Sequence, residues 1–306
     1  MKNRIPIPIS FIILNYNGKD LTERCIKSLI DSLEEYDFEV ILVDNNSPDN
    51  EVEYFKLRFP QIKVIKESQN RFIQAYNDGV SQAKNEWVFL LNNDMVFKDD
   101  FIEPLLNYLN EMDLFAVGSV MLNYEGFPQK GVNIPIFRLG YIWFKDFFPK
   151  NATESVYIGT HGLFRKSIFL KLGGFDSIYS PFYVEDVDLC YRAWKIGYKI
   201  IVEPRSVIYH KHMGTIGRLF SKKLINRIYA RNHIVFVWKN ITSKKLFFEH
   251  ILLLPFLLFG ALLIGKAYYV LGFLDALKLA MQGKIKRTDD FKFTDEEVLS
   301  KWNKCA

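Results

Sequence analysis

Short apolar runs alternate with stretches of helical spacing through the first third of the chain. Residues 7–14 are almost wholly apolar, as a strand buried on both faces requires. Asp20 and Glu23 read as an N-cap and capping-box pair for a helix that carries Ile26, Leu29, Ile30 and Leu33 on one side. Residues 40–43 and 62–65 read as a second and third strand, 72–84 as a helix and 87–91 as a fourth strand. This alternation predicts an α/β fold whose central sheet is mostly parallel, with right-handed crossovers. Residues 115–160 are irregular and aromatic. Gly173-Gly174 then closes a short helix. Glu185-Asp186-Val187-Asp188 opens another, its acids placed where the helix dipole favours them, and Gly197 stops it. Residues 200–202 and 207–209 read as two short strands, the second running into His210-Lys211-His212.

Polar clusters punctuate the apolar runs. The fourth strand ends in Asn92-Asn93-Asp94 before Met95-Val96-Phe97 resumes, so one carboxylate and two amides are pinched between apolar segments. Asn15-Tyr16-Asn17 follows the first strand and Asp44-Asn45-Asn46-Ser47-Pro48-Asp49 the second. Open parallel sheets bind ligands outside the carboxyl ends of their strands, so the three clusters are expected to form one site. No glycine-rich dinucleotide fingerprint follows the first strand and no phosphate-binding P-loop motif occurs, which disfavours both of those folds.

Composition extends the picture. The chain has 306 residues, 49% hydrophobic and 25% charged, enough for one large α/β domain and an extension. Charge is unevenly spread. From Arg205 to Arg287, fifteen Lys and Arg face two acids, Glu249 and Asp275, giving +13; the net charge is +5, so the rest carries −8. Residues 251–265 hold no charge but are shorter than the roughly 20 residues of a bilayer span, and they contain Pro255 and Gly260. An interfacial or re-entrant segment is expected. Lys244, Lys245, Lys284, Lys286 and Arg287 would attract anionic lipid, and Tyr268 and Tyr269 suit the interface. The alternative is a helix docked on the catalytic part or on a second copy. Cys25, Cys190 and Cys305 lack metal-ligand spacing; the first two read as buried thiols in a reducing cytoplasm. The basic, then apolar N-terminus reads as the first strand rather than a signal peptide, because Pro6 and Pro8 interrupt it.

Together "SFIILNYNG", "ILVDNNSPD", "LLNNDMVF", "GGFD", "YVEDVDLCYR" and "IYHKH" resemble the family 2 glycosyltransferases of GT-A fold, and within them the rhamnosyltransferase-like branch, over residues 7–240. The resemblance implies a catalytic domain at 1–240 and a C-terminal apolar, basic helical extension at 241–306 that associates with membrane. It implies a metal-dependent, inverting hexosyl- or rhamnosyltransferase. The donor would be a UDP- or dTDP-sugar, and the acceptor a hydroxyl of a glycan or polyprenyl-linked glycan in cell-surface polysaccharide synthesis. The place would be the cytoplasm, peripheral at the inner face of the cell membrane, with no nucleic-acid partner.

The resemblance also assigns residues. Asn92-Asn93-Asp94 stands for the family's D-x-D signature, with Asp94 holding Mg²⁺ or Mn²⁺ on the donor diphosphate and Asn92 and Asn93 turned to the nucleotide. His210 is implied as a cation ligand or diphosphate contact. Asp44 would accept the ring N–H of uracil or thymine, and it also suits an Asx-turn. Tyr16 would pack on that ring, with Asn15, Asn17 and Asn46 lining the pocket. Asp186 is implied as the base that deprotonates the acceptor, and Glu185 as its orienter or an acceptor contact. Asp188 reads as a cap or a partner of Arg192. Arg71 stands where the family commonly has glycine, a cation beside the diphosphate, and Arg218 in "MGTIGRLF" reads as a clamp on a closing loop. Arg231-Asn232 either reach the site or form a solvated basic face.

Three rivals fare worse. A sugar-1-phosphate nucleotidyltransferase needs a glycine-rich basic loop where Asn15-Tyr16-Asn17-Gly18 stands. A catalytically inactive, membrane-docked sugar-nucleotide-binding or scaffold protein has no use for Asp94 and Asp186. A nucleic-acid binder would thread its +13 segment with exposed aromatics and glycines rather than aliphatic runs.

Overall fold

The computed structural model describes residues 4–98, 100–210, 219–287 and 291–302. Strands β1 (Ile5–Asn15), β2 (Tyr36–Asp44), β3 (Lys63–Lys66) and β4 (Trp87–Asn92) lie parallel in the order β3-β2-β1-β4. Helices α1 (Lys19–Ser32), α2 (Glu51–Arg58) and α3 (Ala75–Gln82) connect them. Alternate strand residues enter opposite cores. Phe11, Ile13, Leu42, Phe89 and Leu91 pack on the face of Cys25, Leu29 and Phe55. Ile12, Ile41, Val43, Val88 and Leu90 pack on the face of Ala75, Tyr76 and Val80. Burial on both faces explains why these strands read as continuous apolar runs. α3 lies so close to the sheet that a Cβ on Gly79 would come 2.5 Å from Ile12 Cγ2.

The second half adds β5 (Met95–Val96), α4 (Glu103–Leu106), β6 (Leu114–Leu122), β7 (Pro128–Lys130), β8 (Val132–Arg138), β9 (Tyr141–Phe147), β10 (Thr153–Glu154), β11 (His161–Arg165), α5 (Lys166–Lys171), α6 (Glu185–Lys195) and β12 (Lys199–His210). β11 runs antiparallel between β4 and β6, and β12 runs parallel beside β6. The segment expected to be irregular is therefore largely β structure. Its strands are short, and β8 and β9 form a two-stranded sheet of their own, so no long run announces them. The two short strands expected after α6 are one strand. β12 shifts register between Glu203 and Val207, and Arg205 folds back onto Glu203 at 2.9 Å, so polar residues interrupt its apolar pattern.

The start of α1 differs from expectation as well. Gly18 occupies the cap with no side-chain cap bond, and Asp20 lies inside the first turn. Glu23 turns outward to Tyr54, Lys27 and Arg58 instead of capping. Those partners compete successfully because they bring hydroxyl and cationic donors to a carboxylate at the surface.

Among the described residues, the helices α7 (Lys222–Asn240), α8 (Lys244–Leu263), α9 (Tyr268–Met281) and α10 (Asp295–Ser300) follow. α9 packs closely on α7, where a Cβ on Gly272 would lie 2.8 Å from the Arg227 carbonyl. α8 is a continuous 20-residue helix with Pro255 inside, long and apolar enough to cross a membrane by length and composition. It meets the body through Leu246, His250, Leu254 and Ala261. His250 Nδ1 donates to the Gly140 carbonyl at 2.7 Å, and Trp238 Nε1 donates to His250 Nε2 at 3.0 Å. Its other sides leave Phe248, Phe256, Phe259 and Leu263 exposed. The chain then returns to the body. Asp295 is fully buried and accepts from Tyr191 at 2.7 Å, Lys195 at 2.8 Å and the Thr242 and Ser243 amides at 2.7 Å.

Candidate active site

Sheet register gathers the polar clusters. Asn15 stands beside Asp44 on β2, and Leu14 beside Asn92 on β4. Asn15 is wholly buried and bonds its neighbours together. Its amide donates to Asp44 at 2.9 Å and Glu51 at 2.7 Å, and its carbonyl accepts from Thr22 at 2.7 Å. Asp44 forms the Asx-turn, accepting the Ser47 amide at 3.0 Å and hydroxyl at 2.5 Å. Tyr16 is half-buried, and Asn17 and Asn46 are exposed at φ 47° and 61°, conformations asparagine tolerates. Asn45, on the same turn, holds the next loop by accepting the Arg71 amide at 2.8 Å and donating to the Phe72 carbonyl at 3.0 Å. The Arg71 guanidinium itself is turned to Asp78 and Glu67.

The apolar resumption after Asp94 has a structural cause. β5 pairs antiparallel with the end of β12, Met95 opposite His210, and Met95 is buried. This pairing sets His210 Nε2 3.2 Å from Asp94 Oδ2. His210 Nδ1 lies 3.0 Å from Gln129 Oε1, which orients the ring and directs Nε2 to Asp94. Asn92 and Asn93 shape this turn. Asn92 Oδ1 accepts from Thr160 at 2.9 Å, and Asn93 donates to Thr22 at 2.9 Å. Asp94 Oδ1 is buried and has no hydrogen-bond partner among the described residues. A buried carboxylate oxygen left unpaired is costly, and a hard cation is the ligand that suits it. Asp94 and His210 therefore fit a divalent cation. The described residues hold no cluster of three or more acidic, histidine or cysteine ligands.

The second cluster begins α6. Tyr183 and Val184 precede it at φ 73° and 77°, unfavourable for a β-branched residue. Asn232 holds that turn by donating to the carbonyls of Tyr179, Phe182 and Tyr183. Arg231 and Asn232 thus brace the turn rather than forming a solvated face. Glu185 is 5% exposed, and its Oε2 has no partner among the described residues. Burial, and then the charge of Asp186, push its carboxyl well above the usual range. Burial also raises Asp186, against the pull of the Val187 amide and Lys130. Asp188 behaves oppositely. Burial opposes its charge, but Arg192, Lys239 and Asn240 outweigh that and hold it at about 2. It is a fully buried junction, paired with Arg192 at 2.8 Å and Lys239 at 2.9 Å.

His161 joins the clusters and was not foreseen. It lies on β11 opposite Leu91 of β4, is 4% exposed, and its Nε2 has no partner among the described residues. Burial, Lys130 and His210 push it down to about 3, so it is neutral at working pH. A Cβ on Gly159 would lie 3.2 Å from His161 Nδ1 and 3.5 Å from Asp186 Oδ2, which places the imidazole and the carboxylate about one small side chain apart. The only sequence signal was Thr160-His161-Gly162 opening an apolar run, the same edge logic as Asn92-Asn93-Asp94. Glu51 and Lys130 were missed too, both placed by tertiary contacts. Arg218 and His212 lie outside the described residues.

The model of the glycosyl transferase family 2 matches residues 10–173, more than half of the chain. The chain belongs to glycosyl transferase family 2. Its central sheet and flanking helices are the family's GT-A fold. Glycosyltransferase GlyG of Streptococcus pneumoniae is 32% identical over 38% of this chain and 40% of its own length. The N-acetylglucosaminyl-diphospho-decaprenol L-rhamnosyltransferase of Mycobacterium tuberculosis is 25% identical over 58% of this chain and 68% of its own. The crystal structure of GalNAc-T7 with UDP, GalNAc and Mn²⁺ superposes with a TM-score of 0.63 at 19% identity, over 78% of this chain and 48% of that one. The chain spans about half the length of the curated relatives it matches.

Proposed function

We propose that this protein is an inverting, divalent-cation-dependent glycosyltransferase. It moves one sugar from a UDP- or dTDP-linked donor to a hydroxyl of a glycan or lipid-linked glycan in cell-surface polysaccharide synthesis. The observation that carries the reading is Asp94: a carboxylate at the carboxyl edge of the sheet, one oxygen facing His210 and the other buried without a partner among the described residues. Family membership and the relatives' activities support it.

Asp94 and His210 would hold Mg²⁺ or Mn²⁺, whose chemistry is to neutralise charge on the departing nucleoside diphosphate. The nucleoside would lie over Tyr16, Asn17, Asp44 and Asn46, with Asn15, Asn92 and Asn93 shaping the floor. Arg71 would leave Asp78 to meet the diphosphate, and Arg218 would close over it. Asp186 takes the proton from the acceptor hydroxyl as that oxygen attacks the anomeric carbon from the face opposite the leaving group. Its raised pKa makes it the stronger base. Burial and the charge of Asp186 push Glu185 beside it well above the usual carboxylate range.

Residues 1–240 would form the catalytic domain, and the extension from 241 would place it at the inner face of the cell membrane, with residues 291–302 docked back on the body. Exposed Phe248, Phe256, Phe259 and Leu263 would enter the lipid interface, flanked by Lys244 and Lys245.

A donor screen tests the reading. Thermal melts are taken with Mn²⁺ and, separately, UDP, dTDP, GDP and CDP, for the protein and for Asp94→Ala. One diphosphate, UDP or dTDP, should stabilise the protein only with metal, and the variant should lose the shift. A folded protein indifferent to all of them would refute the proposal.

A further inference from the structure

An arc of aromatic rings borders the carboxylates that open α6. Tyr183, Tyr229, His233, Phe144 and Tyr157 follow one another with ring centroids 5.9, 4.3, 6.4 and 5.0 Å apart. The turn before α6 supplies the first ring, α7 the next two, β9 the fourth and the loop between β10 and β11 the last. Both ends of the arc are tied to the catalytic pair. Tyr183 stands two residues before Glu185. Tyr157 stands two residues before Gly159, where a Cβ would lie 3.5 Å from Asp186 Oδ2. Burial pushes the three phenols up, and the charges of Asp186 on Tyr157 and Tyr229 and of Glu185 on Tyr183 push the same way.

Core packing does not account for these rings. Tyr76, Tyr179 and Tyr191 show what a core tyrosine does in this fold: each is at most 1% exposed and donates its hydroxyl to the Leu91 carbonyl, Asp188 or Asp295. Tyr183 and Tyr229 are instead 37% and 43% exposed, and Tyr157, Phe144 and His233 are half-buried. Leaving large rings in water forgoes apolar burial. Burial pushes the His233 imidazole down to about 4, so it enters the arc as a neutral ring. The arc offers flat apolar faces and no charge, beside a carboxylate that needs a hydroxyl. A pyranose has the matching shape. Its axial C–H groups form a face that lies on an aromatic ring, while its edge carries the hydroxyls.

We infer that this arc is a sugar-stacking platform on which an acceptor pyranose lies against Tyr229 and its neighbours with one hydroxyl at Asp186. This rests on the transferase reading above and names what meets the base: a sugar ring, rather than an open-chain polyol or a phosphate. An open chain has no flat face to stack, and a phosphate finds no cation among these five rings.

The test uses the full chain with Mn²⁺ and the diphosphate that the donor screen selects, UDP or dTDP. Saturation-transfer NMR is read from the ring protons of the methyl glycosides of glucose, N-acetylglucosamine, galactose and rhamnose, with ribitol as the open-chain control. At least one glycoside should take up saturation, and ribitol should not. Tyr229→Ala, at an exposed position on α7, should weaken that glycoside by about tenfold, the loss of one aromatic face. Tyr229→Phe keeps the face and drops the hydroxyl, so it should bind within about twofold of the parent. Both variants should keep the parent's diphosphate–Mn²⁺ melt. Silence of every glycoside, saturation of ribitol as strong as theirs, or a Tyr229→Ala variant that binds like the parent overturns the inference. A Tyr229→Phe variant as weak as Tyr229→Ala also overturns it, assigning the contact to the hydroxyl. In each of these cases a diphosphate–Mn²⁺ shift in the parent leaves the transferase reading standing; a parent that no diphosphate shifts removes both together.

Discussion

Asn232 on α7 donates its side-chain amide to the carbonyl of Tyr183 in the turn before α6 at 2.8 Å, and to those of Tyr179 and Phe182 at 2.8 and 2.9 Å. These bonds hold two consecutive residues at positive φ and aim the first turn of α6. Asn232→Ala leaves buried carbonyls unpaired, a loss of about 1–3 kcal/mol. The melting temperature should fall by several degrees. Displacement of Asp186 should lower kcat by roughly a hundredfold. UDP–Mn²⁺ affinity, set on the other wall, should hold. Parallel loss of nucleotide binding would show that the turn does not act on α6 alone.

Glu185 makes a prediction with a definite sign. An ordinary glutamate titrates near 4.5, and burial raises the folded value well above that. Between the two values the unfolded chain releases a proton that the folded chain keeps, so stability falls as pH rises. Glu185→Gln removes this dependence. The variant should melt higher than the parent by a margin that opens as pH rises above about 4.5 and levels off beyond the folded value. A margin equal at every pH would mean that Glu185 is charged in the fold.

Asp188 has the opposite sign. Its stabilisation is complete above the ordinary aspartate value of 3.8 and is lost as pH falls towards about 2. Asp188→Asn strands Arg192 in the core, while Lys239 keeps Asp176 at 2.6 Å, a loss of about 3–5 kcal/mol for an uncompensated buried charge. Chemical denaturation at neutral pH measures it. A change below about 1 kcal/mol, the worth of an exposed pair, would rule out the buried-junction role.

Gly18 tests the floor of the nucleotide pocket. Its φ of −134° is open to any residue, so a substitution acts by bulk alone. A Cβ there collides with Asn93 Nδ2, which bonds Thr22 at 2.9 Å beside Asp94. Gly18→Ala should weaken Mn²⁺-dependent UDP binding by roughly tenfold, with a stability change of about 1 kcal/mol. Calorimetric titration reads the first and thermal melts the second. Unchanged UDP affinity would place the pocket elsewhere.

Strands buried on both faces and polar residues at their ends are local properties, so residues 7–14, 40–43 and 87–91 announced a parallel sheet and the edge where its polar clusters gather. The acids of α6 and the apolar C-terminal run were legible for the same reason. The remainder depends on contacts between distant segments. His210 faces Asp94 because β5 pairs with the end of β12, and register across a sheet is set by packing, which local pattern does not encode. His161 enters the cleft because β11 inserts antiparallel between β4 and β6. Glu185 and Asp188, three residues apart, take opposite pKa shifts. One is buried with an oxygen that has no partner among the described residues, and the other lies among cations brought by α6 and α7, a difference of environment that only the folded chain creates.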